Sequence, residues 1–142
     1  MNIKIAQLAK KPFDVKKSGK NLKKTYQFQL DMAKLQDKIN QGSTDEVTKR
    51  NELSDEEKAA FDKKEQEQAI VSFQAMIDIQ DNAESYLTDI LKLNEKQIDD
   101  LEDLEQDDIF EICQYVAMRM TGMTDAEIEK TKVEDNDEGL SA

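Results

Sequence analysis

The sequence predicts a mainly α fold, a helical domain with a short N-terminal β-hairpin and a disordered acidic C-terminal tail. Three observations predict it. Residues 54–93 contain neither proline nor glycine and open on a helix-capping sequence. Apolar residues near the N-terminus recur at every second position, the period of a strand. The chain from Glu134 to Ala142 is acidic and terminal. The expected organisation is one domain over residues 1–132, with a hairpin region at 1–30, a mobile linker at 41–53 and the tail at 133–142.

The elements follow in order. Phe13 and Val15 alternate with polar residues, and Leu22, Tyr26, Phe28 and Leu30 share one face at even spacing. Ser18-Gly19-Lys20 lies between these runs and supports a hairpin turn, while Pro12 suits the start of an edge strand. A competing pattern, Phe28, Met32, Leu35 and Ile39, is helical. Both hold if a strand ends near Phe28 and a helix begins near Leu30. The polar stretch Gln41 to Leu53 is long for a compact domain and reads as a loop.

Ser54 and Glu57 form a capping box. The helix that follows begins polar and turns amphipathic at Ile70, Phe73, Met76 and Ile77. Its stripe resumes at Ala83, Tyr86, Leu87, Ile90 and Leu91, with a kink or break possible at Asp81-Asn82. Asn94 and Gln97 cap a short helix carrying Ile98 and Leu101. Asp107 and Asp108 suit the positive N-terminal end of the next helix. Its apolar face is Ile109, Ile112, Cys113, Val116 and Met120, and Gly122 is placed to end it in a left-handed cap. Thr124 and Glu127 form a third capping box and open a short last helix that ends near Lys132.

Composition narrows the function. Apolar and charged residues each make up 37% of the chain. An ordinary domain is about 45–50% apolar, glycine included, and about 25% charged. The core is therefore modest, which favours an oligomer or a bound partner. Net charge is −12, unevenly spread: residues 1–40 carry ten lysines against three acids, and the remainder carries ten basic against 29 acidic side chains. The acidic part repels nucleic acid and anionic membranes. The lysine arm has no nucleic-acid motif beside it and reads as a solvated face or a contact for an acidic neighbour. No apolar run reaches the length of a membrane span.

Catalysis is disfavoured. Histidine is absent, which removes the commonest general base and metal ligand. The single cysteine, Cys113, falls on a core stripe and reads as buried and structural. There is no glycine-rich phosphate loop. The acidic run from Asp99 to Asp108 lacks the spacing of a calcium loop and reads as solvated surface. No catalytic, cofactor-binding or metal-binding residue is expected.

The most suggestive local feature is Met118-Arg119-Met120-Thr121-Gly122-Met123. Methionine is flexible and polarizable, so it adapts to varied apolar partners. Ordinary packing is the bland alternative, because Met120 belongs to the core stripe. The candidate partner-binding residues are Met118, Met120 and Met123, with Phe110 and Val116 on the same helix.

Three stretches carry a resemblance: Phe73-Gln74-Ala75-Met76-Ile77-Asp78-Ile79-Gln80-Asp81, Tyr86 through Ile98, and Tyr115 through Glu127. Together with the lysine-rich N-terminal hairpin, their order resembles the tail assembly chaperones of long-tailed phages of Gram-positive bacteria. The resemblance implies a partner, the tape measure protein, whose apolar helices such chaperones cover until tail tube subunits replace them. It also implies work in the host cytoplasm and absence from the mature virion. Contact with the tail tube protein and self-association are further expectations, with neither nucleic acid nor membrane as a partner. The alternative is a small acidic helical adaptor or inhibitor that regulates a host or phage protein by binding.

Overall fold

A computed structural model describes residues 1–40 and 52–140, with side chains described through Lys132. Among these residues the chain forms two short strands and five helices. They are β1 (Asn2–Ile3), β2 (Phe13–Asp14), α1 (Gly19–Asn40), α2 (Asp55–Leu91), α3 (Glu95–Glu102), α4 (Gln106–Met120) and α5 (Asp125–Leu140). The chain gathers into two compact units: Met1–Phe28 together with the chain from Ala83 onward, and Gln29–Asn82. The mainly α class with an N-terminal hairpin is what the sequence predicts.

The hairpin lies earlier than expected. Its strands are antiparallel, with Asn2 opposite Asp14 and Ile3 opposite Phe13. The Ile5 carbonyl accepts from the amides of both Leu8 and Ala9 at 3.1 Å, and so tightens the turn between the strands. Pro12 stands just ahead of β2, where its missing N–H removes nothing from the ladder. Ile3, Ile5, Leu8 and Val15 are buried.

The expected turn at Ser18-Gly19-Lys20 is instead the start of α1, and Leu22 to Phe28 is helix rather than strand. The reason is local. The Ser18 hydroxyl accepts from the Asn21 amide at 3.2 Å, and the Ser18 carbonyl takes the Leu22 amide at 2.9 Å. The helical stripe then wins: Thr25 and Phe28 are buried and Met32, Leu35 and Ile39 half-buried, while Tyr26 and Leu30 face outward.

The 37-residue α2 runs unbroken through Asp81-Asn82. It starts with the Glu57 amide bonded to the Ser54 hydroxyl at 3.3 Å. It ends with Lys92 in the left-handed region (φ 53°) and the Leu93 amide reaching back to the Thr88 carbonyl at 3.2 Å. Its buried face differs from expectation in the first half. Ala75 and Ile79 are buried, whereas Ile70, Phe73, Met76 and Ile77 are exposed. From Ala69 to Ile79 the helix is apolar nearly all round, so periodicity alone selects no face there. The downstream stripe of Ala83, Tyr86 and Ile90, carried backward at helical spacing, falls on Ile79 and Ala75.

In the unit that holds both termini, the core forms around α4. Ile109, Ile112, Cys113, Val116, Ala117 and Met120 are buried on it, together with Tyr86, Leu87 and Ile90 of α2, Leu101 of α3 and Ile128 of α5. Tyr86 stacks on Phe28 with ring centroids 4.3 Å apart and planes 8° from parallel. Its hydroxyl lies 2.8 Å from Thr25 Oγ1. In the other unit, the Gln68 side chain donates to the Lys38 carbonyl at 3.1 Å.

The capping sequence at α3 acts as expected, and at α5 the Thr124 side makes its bond. Asn94 and Gln97 exchange both bonds of a capping box, and Thr124 Oγ1 accepts the Glu127 amide at 3.2 Å. Gly122 (φ 108°) ends α4, with the Met123 amide bonded to the Met118 carbonyl at 3.0 Å. The α5 backbone stays helical through Leu140, past the expected end near Lys132. Residues 41–51 of the expected linker lie outside the described residues. So do the last two residues of the expected tail and the side chains of the rest of it, residues 133–140.

Candidate partner-binding groove

A groove of about 420 Å³ runs between the hairpin turn and the helices α4 and α5. Its apolar lining is Ile5 and Ala6 from the turn, Ile112 and Tyr115 from α4, and Ile128 from α5. Lys4, Gln7, Glu111, Asp125, Glu129 and Lys132 complete its walls with charges of both signs. An apolar floor between charged walls is the surface that an amphipathic helix or an apolar loop recognises.

Each wall has a local cause. The two hydrogen bonds accepted by the Ile5 carbonyl fold the turn so that Ile5 is buried and Ala6 and Gln7 are exposed. On α4, Glu111, Tyr115 and Met118 are spaced i, i+4, i+7, so one face supplies successive positions along the wall. On α5, the first turn brings Asp125 to Tyr115 and Arg119.

That last contact is a clasp. The Tyr115 hydroxyl donates to Asp125 Oδ1 at 2.6 Å, and the Arg119 guanidinium donates to the same oxygen. These two hydrogen bonds, Tyr115 first, hold the Asp125 carboxyl below the usual carboxylate range. Burial, and then the bond to Asp125, pushes the Tyr115 phenol up. Arg119 Nε is buried without a hydrogen-bond partner among the described residues. Together with buried Ile128, the clasp joins the start of α5 to α4.

The five sequence-derived candidates fall in different places. Val116 and Met120 are fully buried in the core and present nothing at the surface. Phe110, Met118 and Met123 are half-buried. None of the five lines the groove. Met118 alone continues its α4 wall, by spacing. Sequence reasoning missed Ile5, Ala6, Tyr115 and Ile128, since no local pattern announces that the turn and α5 converge on α4. The one available signal was Tyr115, an aromatic residue off the core stripe.

Cys113 is buried, its thiol donates to the Ala83 carbonyl at 3.6 Å, and burial pushes its pKa up to about 12, so it stays a thiol at neutral pH. Among the described residues no group of three or more acidic or cysteine side chains is placed to hold a metal ion. No described helix is long and apolar enough to cross a membrane.

The chain matches the family described as phage tail assembly chaperone proteins, over residues 1–54 and 46–136. No curated protein and no solved structure matches it.

Proposed function

The chain belongs to the phage tail assembly chaperones, and from that premise we propose that it binds the tape measure protein and keeps it soluble until the tail tube polymerises around it. The groove carries this reading: its apolar floor of Ile5, Ala6, Ile112, Tyr115 and Ile128 takes apolar side chains from one face of a tape measure helix. The charged walls orient that helix, and Met118, half-buried one step along α4, adds an adaptable apolar contact. The acidic exterior keeps the complex dispersed. Binding takes place in the host cytoplasm. Tail tube subunits displace the chaperone, which is absent from the mature virion. No step of this cycle needs catalysis.

Peptides tiling the tape measure protein of the same genome test the reading. Apolar helical segments should bind, and the amides of Ala6, Gln7 and Tyr115 should shift in NMR spectra on titration. Binding without a shift at the groove would move the site elsewhere. Absence of binding by every segment would remove the tape measure protein as the partner.

A further inference from the structure

We propose that two copies of this chain associate antiparallel through the outer face of α2, centred on Ile70, Phe73 and Ile77. The proposal rests on α2 alone and is independent of the chaperone reading. Ile70, Phe73 and Ile77 are 67%, 64% and 57% exposed, although their spacing (i, i+3, i+7) places them on one face. That face lies opposite the one that buries Ala75 and Ile79: Ile70 and Ile79 are nine residues apart, about two and a half turns. From Ala69 through Ile77 the helix carries no charge at all. A helix apolar on both sides is normally covered on both, and an apolar stripe bordered by polar residues marks an interface.

The charges at the ends of the stripe identify the occupant. Lys63 precedes Asp81 by eighteen residues, about five turns, so both lie on the meridian of Ile70 and Ile77 and flank the apolar stripe. Both are exposed. Along the face the charged and large apolar residues run lysine, isoleucine, phenylalanine, isoleucine, aspartate, with the uncharged Gln66 and Gln74 among them. Reversed, the same order is its own complement. A two-fold axis between Phe73 and Gln74 sets Ile70 of each copy against Ile77 of the other and brings Lys63 of each within about one turn of Asp81 of the other. Gln74 lies half a residue from that axis, beside its counterpart. A parallel pair would instead oppose lysine to lysine and aspartate to aspartate. An isologous two-fold interface requires this self-complementarity, whereas an unrelated partner does not.

Sedimentation of the full chain from micromolar to millimolar concentration, with helicity followed by circular dichroism, tests the proposal. The chain should reach twice its monomer mass, and Phe73→Asp should return it to monomer with unchanged helicity. Lys63→Glu should weaken the dimer about tenfold, and adding Asp81→Lys in the same chain should restore it. Under oxidising conditions Gln74→Cys should cross-link and Lys63→Cys should not. A monomer at every concentration would overturn the proposal, even if Phe73→Asp abolished binding of another protein. So would a dimer that the double charge exchange fails to rescue, or one cross-linked through Lys63→Cys.

Discussion

At the scale of single residues, the buried polar contacts set the most direct tests. Thr25 Oγ1 donates to the Asn21 carbonyl at 3.0 Å and has only one proton, so the Tyr86 hydroxyl is the donor in their 2.8 Å contact. Burial pushes the Tyr86 phenol up to about 12, so it keeps that proton at neutral pH. Tyr86→Phe retains the stack on Phe28 and should cost about 1 kcal/mol in denaturant unfolding, the usual worth of one hydrogen bond. Tyr86→Ala removes the stack as well and should cost about 3–5 kcal/mol. Asp125 gives a pH test. Its folded pKa is lowered, so the folded state binds a proton less readily than the unfolded chain. The clasp's contribution is therefore present above the unfolded value of about 3.9 and is lost as pH falls through the lower folded value. The stability difference between the native chain and Asp125→Asn should be constant above about pH 5 and shrink in acid. With Asp125 64% exposed, solvent screening keeps that difference small. A difference that grew on acidification would contradict the clasp.

At the scale of elements, ends were more legible than faces. Asn94 and Gln97, Thr124 and Gly122 each act where sequence placed them, because capping depends on two or three residues and local backbone geometry. The α4 stripe was equally legible, since Ile109, Ile112, Cys113, Val116 and Met120 stand against polar residues on the other side. Two readings failed for a shared reason, an ambiguous period. Leu22, Tyr26 and Phe28 fit a strand by parity, but the Ser18 cap starts a helix before that alternation takes hold. Ile70, Phe73 and Ile77 fit a core face, but α2 has two apolar faces there and the buried one continues from Tyr86. The two left-handed caps make an opposed pair of tests. Lys92 bears the steric cost of φ 53°, so Lys92→Gly should stabilise by up to about 1 kcal/mol. Gly122 has φ 108°, and a Cβ there would sit 3.4 Å from Lys17 Nζ, so Gly122→Ala should destabilise by about 1 kcal/mol or more. Thermal melts of the two variants should move in opposite directions.

At the scale of the whole molecule, a modest apolar fraction and a net charge of −12 suit a family whose members assist tail assembly. The family was legible in the stretches Phe73 to Asp81, Tyr86 to Ile98 and Tyr115 to Glu127, which lie within the residues that match it. The groove was not, since it arises where Ile5, Tyr115 and Ile128 converge from segments far apart in sequence. The methionine segment drew attention for a sound reason, yet tertiary packing placed Met120 and Val116 inside and left Met118 at the edge. The proposed function turns on whether this groove holds the tape measure protein. Co-expression of that protein with the native chain and with Ala6→Arg, which fills an exposed position of the groove, tests it most directly. Soluble, co-purifying tape measure protein is expected with the native chain and mostly insoluble material with the folded variant. Equal rescue by both, or by neither, would contradict it.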